Sequence, residues 1–573
     1  MKKCVRIARF WFGLSLLFAF IFGLDTINLA FSHQYTVQDD ARQHIFWMQK
    51  FIDSELFKND LIADYFQSVA PLGFTYLYKI FATFGISPLV FNKILPLFLG
   101  LVTTGYCFLI CLEIISVPWA GFLSTIFLNQ NLWLMDSLSS GTPRAFVYPI
   151  FLAFVYYLSK RSLLPCLLTI VLQAEFYPQL IFISVIMLLL QLITWHKQQL
   201  RFISKNLFLV ASGLAIALIS LSMYAPNSAR FSPTLTAELA KQLPELAEGG
   251  RTAFFLSDRL FFWLLAPRSG FFPHEWLYAW QYISICFLLC CVGLLLPWLD
   301  RRFHCFPLLQ KINHRSSIFS QVIIASLIAF AIAHLCLFKF HLPSRYTQHS
   351  IRILMALGDG IVVAIILDAI WRSLTKKFKV LASVKNVAIA LGILLFFTPV
   401  YIAKAHPQYL TAIGYLQGES PLLYQFLQHQ PKDSVIASLT KEGDFIPSLA
   451  QRSVLVAEEY AIPYHQGYYQ QIKQRTKDLI AAQYSNNWQE LKQFIQRYRI
   501  NLWLLDRHAF EREYLEKNRW ISHFSREKER AIANLESKSK PIIQQLQSQC
   551  QNFADKNSIL LETKCLLANS KQS

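Results

Sequence analysis

Eleven apolar runs, most of them close to the length that crosses a bilayer, constrain this chain more than any other feature. They fall at roughly 8–31, 91–113, 118–135, 145–158, 163–175, 178–195, 206–224, 279–299, 317–338, 351–371 and 384–404. About 20 apolar residues in a helix span the hydrocarbon core, where every backbone N–H and C=O must be bonded within the protein. Composition agrees. The chain is 54% hydrophobic and 16% charged, against about 25% charged in an ordinary soluble domain. Its 48 Phe, 24 Tyr and 13 Trp suit lipid-facing helices with interfacial belts. The expected fold is a polytopic α-helical membrane protein of about eleven spans, residues 1–405, followed by a C-terminal α/β domain, 406–573. The fifth run is short, and 163–195 reads as a tight helical hairpin around "QAEFYPQ".

A net charge of +19 would suit a nucleic-acid binder, but the basic residues are placed otherwise. They cluster between apolar runs, as in "KR" at 160–161, "DRR" at 300–302 and "KKFK" at 376–379. That is the pattern that holds cytoplasmic loops inside, so nucleic acid is not an expected partner. The basic start and long first run, with no A-x-A site, read as an uncleaved signal-anchor with its N-terminus in the cytoplasm. Eleven crossings then put the tail outside, at a plasma membrane. Outer loops 32–90 and 225–278 lie on the same side.

In the first outer loop, Phe74, Leu77, Tyr78 and Phe81 recur at helical spacing. This predicts an amphipathic helix lying on the membrane surface. In the tail, "DSVIASL", "RSVLVAEE" and "INLWLLD" are short β-rich runs between helical stretches, which predicts a largely parallel sheet. From about 525 onward the chain reads as a charged helix. Of the 11 cysteines, Cys550 and Cys565 stand apart in the tail and can form a disulfide if it lies outside the cytosol. The others sit mostly in or beside apolar runs, as small hydrophobes.

Candidate chemistry begins with Asp39 and Asp40 in "YTVQDDARQH". Adjacent carboxylates can hold a hard cation such as Mg²⁺ or Mn²⁺, accept a proton from a hydroxyl, or both. The plainer alternative is that Asp39 caps a surface helix. Asp136 and Arg144 flank "SLSSGTP", and Glu175 sits at the "AEFYP" break, where an ionisable group at membrane depth is a functional candidate. "KFHLPSRYTQHSIR" carries Lys339, His341, Arg345, His349 and Arg352. Guanidinium groups there suit a phosphate, with headgroup anchoring as the alternative. Arg251, Arg259 and Arg268 are weaker versions of the same idea. Asp25, Asp359, Asp368 and His334 are explained as well by packing. No Walker A, GxSxG, HExxH or GxGxxG pattern occurs.

"QDDARQHIFWMQKFID" resembles the acidic-pair segment of GT-C membrane glycosyltransferases, in the branch of protein mannosyltransferases and aminoarabinose transferases (glycosyltransferase family 39-like). "APLGFTYLYKIFATFGISPLVFNKILPLFLG" is similar to their proline-led surface helix, and "VIASLTKEGDFIPSLAQRSVLVAEEYAIPYH" to the α/β tail of some bacterial members. The resemblance implies transfer of a sugar from a polyprenyl-phosphate donor to a lipid, glycan or protein acceptor outside a bacterial inner membrane. Asp39 matches the acidic catalytic position, and Asp40 stands where many members have Glu. Asp39, Asp40 and Asp136 would be the metal-linked carboxylates, though Asp136 stands without a DxD. Arg345, with Lys339, His341 and Arg352, would hold the donor phosphate, and Asp136, Arg144, Glu175 and Arg268 would line the cleft. The tail lacks a WWDYG-type motif, which argues against oligosaccharyltransferase activity. A transporter or flippase, or a non-catalytic scaffold of the same shape, are the alternative readings.

Overall fold

The computed structural model describes residues 2–196, 199–273, 280–303, 305–377 and 413–569. Ten of the eleven apolar runs are helical in it, in whole or in large part, and the eleventh, 384–404, lies outside the described residues. Among the described residues five stretches are long and apolar enough to cross a membrane: Val5–Ala30, Pro88–Ile114, Ser204–Ser222, His314–Leu335 and Pro343–Ser373. Leu163–Phe176 and Leu180–Leu190 are shorter apolar helices. Large side chains such as Phe10, Leu164, Leu294 and Leu335 point outward, at 64–85% exposure, which a bilayer tolerates and water does not. This is a multi-pass membrane protein.

Two of the apolar segments depart from expectation. The run 178–195 is helical only to Leu190, and Ile193–His196 then pairs antiparallel with Gln199–Phe202. Ile193, Thr194 and Trp195 are strand formers, and here they end the helix. The predicted surface helix forms as Leu72–Thr83, but the face expected to meet lipid packs on the protein instead. Phe74 and Tyr78 are fully buried, Phe81 stacks on Phe91, and Tyr76, Ile80 and Phe84 form the exposed stripe.

The tail is built on a five-stranded sheet in the order Ser453–Val454, Val435–Ser438, Leu502–Asp506, Ser558–Glu562, Gln551–Ala554. Its first two pairings are parallel and its last two antiparallel. The sheet is therefore mixed. The stretch expected as one charged helix is two helices, Ser525–Glu536 and Ile542–Cys550, followed by that hairpin. Asp555 turns the hairpin by accepting from the N–H groups of Asn557 and Ser558. A disulfide joins Cys550 and Cys565.

The segments 32–90 and 225–278 and the tail meet. Thr36–Gln38 pairs antiparallel with Tyr415–Gln417 at the root of the tail. Leu235 N–H donates to Tyr464 O (2.9 Å), and Gln466 N–H to Pro233 O (2.9 Å). Phe254, Phe338 and Leu342 share one small apolar core that brings the loop before Gln348–Lys377 into the same assembly. The acidic pair lies at this junction.

Candidate active site

The ladder to the tail root fixes where the acidic pair begins. Asp39 N–H donates to Gly414 O at 2.7 Å, and the chain then turns into the short helix Ala41–His44. Asp40 occupies the cap position of that helix, yet its own carboxylate makes no capping hydrogen bond; the first helical N–H, of Ala41, donates instead to Gln38 Oε1 at 3.1 Å. The plain helix-cap reading therefore fails. The turn sends the two carboxylates to different partners.

Asp39 faces the tail. It is ion-paired with Arg42, whose Nη2 also donates to Glu459 Oε2 at 2.7 Å. Arg251 pairs with the other Glu459 oxygen at 2.8 Å, and Asp444 Oδ1 accepts the Glu459 N–H at 2.8 Å. Arg42 also lies over the Phe445 ring, 4.7 Å from its centroid. Burial, then the charge of Glu459, raise the Asp39 carboxyl to about 6 against the pull of Arg42. Its side chain still keeps 47% of its exposure, so the group stays reachable. Burial and Glu459 also raise Asp444 to about 7.

Asp40 faces the membrane domain. Arg144 bridges it to Asp136, with Nη2 2.6 Å from Asp40 Oδ2 and 2.8 Å from Asp136 Oδ2. Burial would raise the Asp40 carboxyl, but Arg144, helped by His44, Arg345 and Arg42, holds it below the usual range. The loop carrying Asp136 and Arg144 is clamped from behind: Tyr78 Oη donates to Gly141 O (2.8 Å) and Asn92 Nδ2 to Ser140 O (2.8 Å). Gly141 sits at φ +58°, and a Cβ there would come within 2.6 Å of Asn92 Nδ2, so the turn needs glycine.

Arg345 lies in the turn Pro343–Tyr346, partly buried, and its guanidinium makes no hydrogen bond or ion pair among the described residues. Its charge acts on Asp40, His44 and His341. Burial, then Arg345, push His341 down to about 3, so the imidazole is neutral. Arg268 contributes to the same effect, and its carbonyl accepts from Ser344 N–H. An unpaired guanidinium beside a neutral imidazole is a ready place for an anion.

The remaining expected site residues lie elsewhere. Arg352 is buried in Gln348–Lys377 and donates to Ser137 Oγ, so it braces the Asp136 loop instead of standing at the surface. The helix simply carries it inward past Arg345. His349 is likewise buried, 2.9 Å from Tyr148 Oη. Lys339 is exposed. Glu175 ends the helix Leu163–Phe176 with its backbone against Gly73, where it packs the surface helix.

The carboxylates do not fit a metal. Among the described residues no three His, Cys, Asp or Glu side chains are grouped to hold an ion. Arg144 lies between Asp40 and Asp136 and Arg42 between Asp39 and Glu459, where a bridging cation would otherwise sit.

Beyond Arg42 and Asp444 opens a cleft of about 1160 Å³ in the tail. Lys441, Asp506 and His508 line it just past the carboxyl ends of Val435–Ser438 and Leu502–Asp506, the usual ligand crevice of an α/β sheet. Glu459, Asp444 and Arg42 were not singled out from sequence. The one local signal was a charged "EEY" closing a β-rich run.

No family model matches the sequence, and no curated protein matches it. Solved structures do. The apo crystal structure of the Archaeoglobus fulgidus oligosaccharyltransferase is 12% identical with a TM-score of 0.50, covering 88% of this chain and 71% of that one. Oligosaccharyltransferase AglB from Archaeoglobus fulgidus, in complex with an inhibitory peptide and a dolichol-phosphate, is 13% identical with a TM-score of 0.51, covering 90% and 71%. At this identity the likeness speaks for the fold alone: the chain shares the fold of these archaeal oligosaccharyltransferase structures.

Proposed function

We propose that this protein is a membrane glycosyltransferase that moves a sugar from a polyprenyl-phosphate donor to an acceptor hydroxyl outside a bacterial plasma membrane. The observation that carries the reading is the split acidic pair: Asp39 reachable and raised to about 6, Asp40 held ionised, with an unpaired Arg345 close by. A base with a pKa near working pH exchanges protons most effectively. Asp39 takes the acceptor's proton as its oxygen attacks the anomeric carbon, and the bond from that carbon to the lipid phosphate breaks. Arg345 and His341 stabilise the departing phosphate. Arg144, locked between two carboxylates, holds the wall of the site, so no step runs through a metal.

The complex of the similar archaeal protein with a dolichol-phosphate supports a polyprenyl-phosphate donor here. The disulfide in the tail supports an oxidising, extracytoplasmic side. The tail cleft is the proposed route for the acceptor. The missing WWDYG-type motif speaks against a peptide sequon acceptor. The test is two-part: lipid and glycan profiling of a deletion strain, then complementation with Asp39→Asn. A missing glycan that the wild-type gene restores and Asp39→Asn does not, at equal membrane levels, is the expected result. Full restoration by Asp39→Asn would leave a scaffold or transporter in its place.

A further inference from the structure

The segment 225–278 carries one short helix that the proposed reaction leaves unused, Arg259–Leu264. Asp258 Oδ1 accepts from Phe261 N–H at 3.0 Å and fixes its start. None of its six residues is buried. Leu260, Trp263 and Leu264, at i, i+3 and i+4, share one face and are 74%, 49% and 42% exposed. Three large apolar side chains on one turn mark a contact surface.

What covers that face follows from where it stands. The Trp263 ring lies 4.5 Å from that of His334 and 6.4 Å from that of Phe330. Both are in the last turns of His314–Leu335, a stretch long and apolar enough to cross a membrane. On that helix Ile323, Leu327 and Ala331 form an exposed row at i+4 spacing, and His334 is next in the row. Trp263 therefore closes the end of a lipid-facing stripe, with Leu260 and Leu264 beside it on the same face. Arg259 is exposed at the start of the short helix. Trp and Arg are residues that settle where acyl chains meet headgroups.

The chain beyond the helix folds back on it. Phe271 N–H donates to Trp263 O (2.9 Å), Phe272 N–H to Leu264 O (2.8 Å) and Ser269 Oγ to Phe262 O (2.8 Å), which makes 259–272 one unit. That unit is bonded to the turn of Arg345. Ser344 Oγ donates to Pro267 O (2.9 Å), Ser344 N–H to Arg268 O (3.3 Å) and Gln348 Nε2 to Phe272 O (3.0 Å). Whatever holds the depth of the unit holds the depth of Arg345.

We propose that residues 259–272 are an interfacial anchor: Leu260, Trp263 and Leu264 sit among the acyl chains of the bilayer beside the end of His314–Leu335, and the anchor sets the height of the Arg345 turn for a lipid-borne phosphate. That this phosphate belongs to a sugar donor rests on the transferase reading; the anchoring does not.

The full chain, with p-benzoylphenylalanine in place of Leu260, is irradiated in phosphatidylcholine nanodiscs and in native membranes. The peptide spanning position 260 gains the mass of one phospholipid in both. Leu260→Gln combined with Leu264→Gln alters only exposed side chains, so its melting temperature in detergent stays at the wild-type value. In nanodiscs, read by ³¹P NMR, it binds a long-chain polyprenyl phosphate about tenfold more weakly and a short-chain, water-soluble isoprenyl phosphate as wild type does. No lipid adduct, an adduct to a second protein in place of lipid, or long-chain binding that is absent in wild type or indifferent to the glutamines overturns the proposal. Lipid adducts and long-chain binding without sugar transfer in membranes would sink the transferase reading alone, and transfer without lipid adducts would sink this one alone.

Discussion

Asp39 and Asp40 are chemically identical neighbours, and the fold shifts their affinities for a proton in opposite directions. On the tail side, burial and then the charge of Glu459 make Asp39 and Asp444 hold their protons more tightly, with the three carboxylates sharing Arg42 and Arg251. On the membrane side, Asp40 and Asp136 share Arg144 with the field of Arg345 added, and Asp40 stays ionised. Separate environments for two carboxyl groups are what acid–base roles require. The division arises from one turn of backbone, pinned by the bond from Asp39 N–H to Gly414 O.

The comparison can be broken most severely at Arg345, whose guanidinium has no carboxylate partner among the described residues. Arg345→Ala should lower the rate of sugar transfer by roughly 10²–10³-fold, the scale of losing one transition-state donor, while leaving the melting temperature near wild type. Arg144 should behave the other way. Arg144→Met strands Asp40 and Asp136 and should cost about 3 kcal/mol of stability in thermal or denaturant unfolding, and Arg144→Lys should recover only part because a single ammonium cannot fork between them.

A smaller effect sharpens the tail side. Asp39 and Asp444 have folded pKa values above the unfolded one of about 3.8, so the folded state holds their protons more tightly. The stability they contribute is fully present below pH ~4 and is lost as pH rises through about 6 and 7. Asp444→Asn keeps an oxygen to accept the Glu459 N–H while removing the late charge. It should stabilise the protein at pH 8, by on the order of 1 kcal/mol, and leave it unchanged near pH 4. Equal shifts at both pH values would contradict the assignment.

How much of this was legible in the sequence depends on the range of the contacts. The apolar runs announced their helices because burial in lipid is decided within each segment. Asp39, Asp40 and Arg144 could be singled out because they are charges in the loops between apolar runs. Glu459 could not, since it meets Arg42 across 417 positions and nothing local marks that pairing. Arg352 misled in the opposite sense: counted with Arg345 in one basic stretch, it is turned inward by the helix onto Ser137. The final hairpin of the tail was missed because its strand Gln551–Ala554 is polar and half exposed, and only its pairing with Ser558–Glu562 makes it a strand.

Asp39 is the base, and Glu459 adds to burial in raising its pKa. The most direct test is the pH profile of sugar transfer by wild type and Glu459→Gln. The wild-type rate should rise with pH through an apparent pKa near 6, as Asp39 loses its proton. Glu459→Gln removes the anion that opposes this and frees Arg42 to favour the carboxylate, so the limb should move to lower pH. A limb that stays near 6 in the variant, or moves upward, would contradict the account.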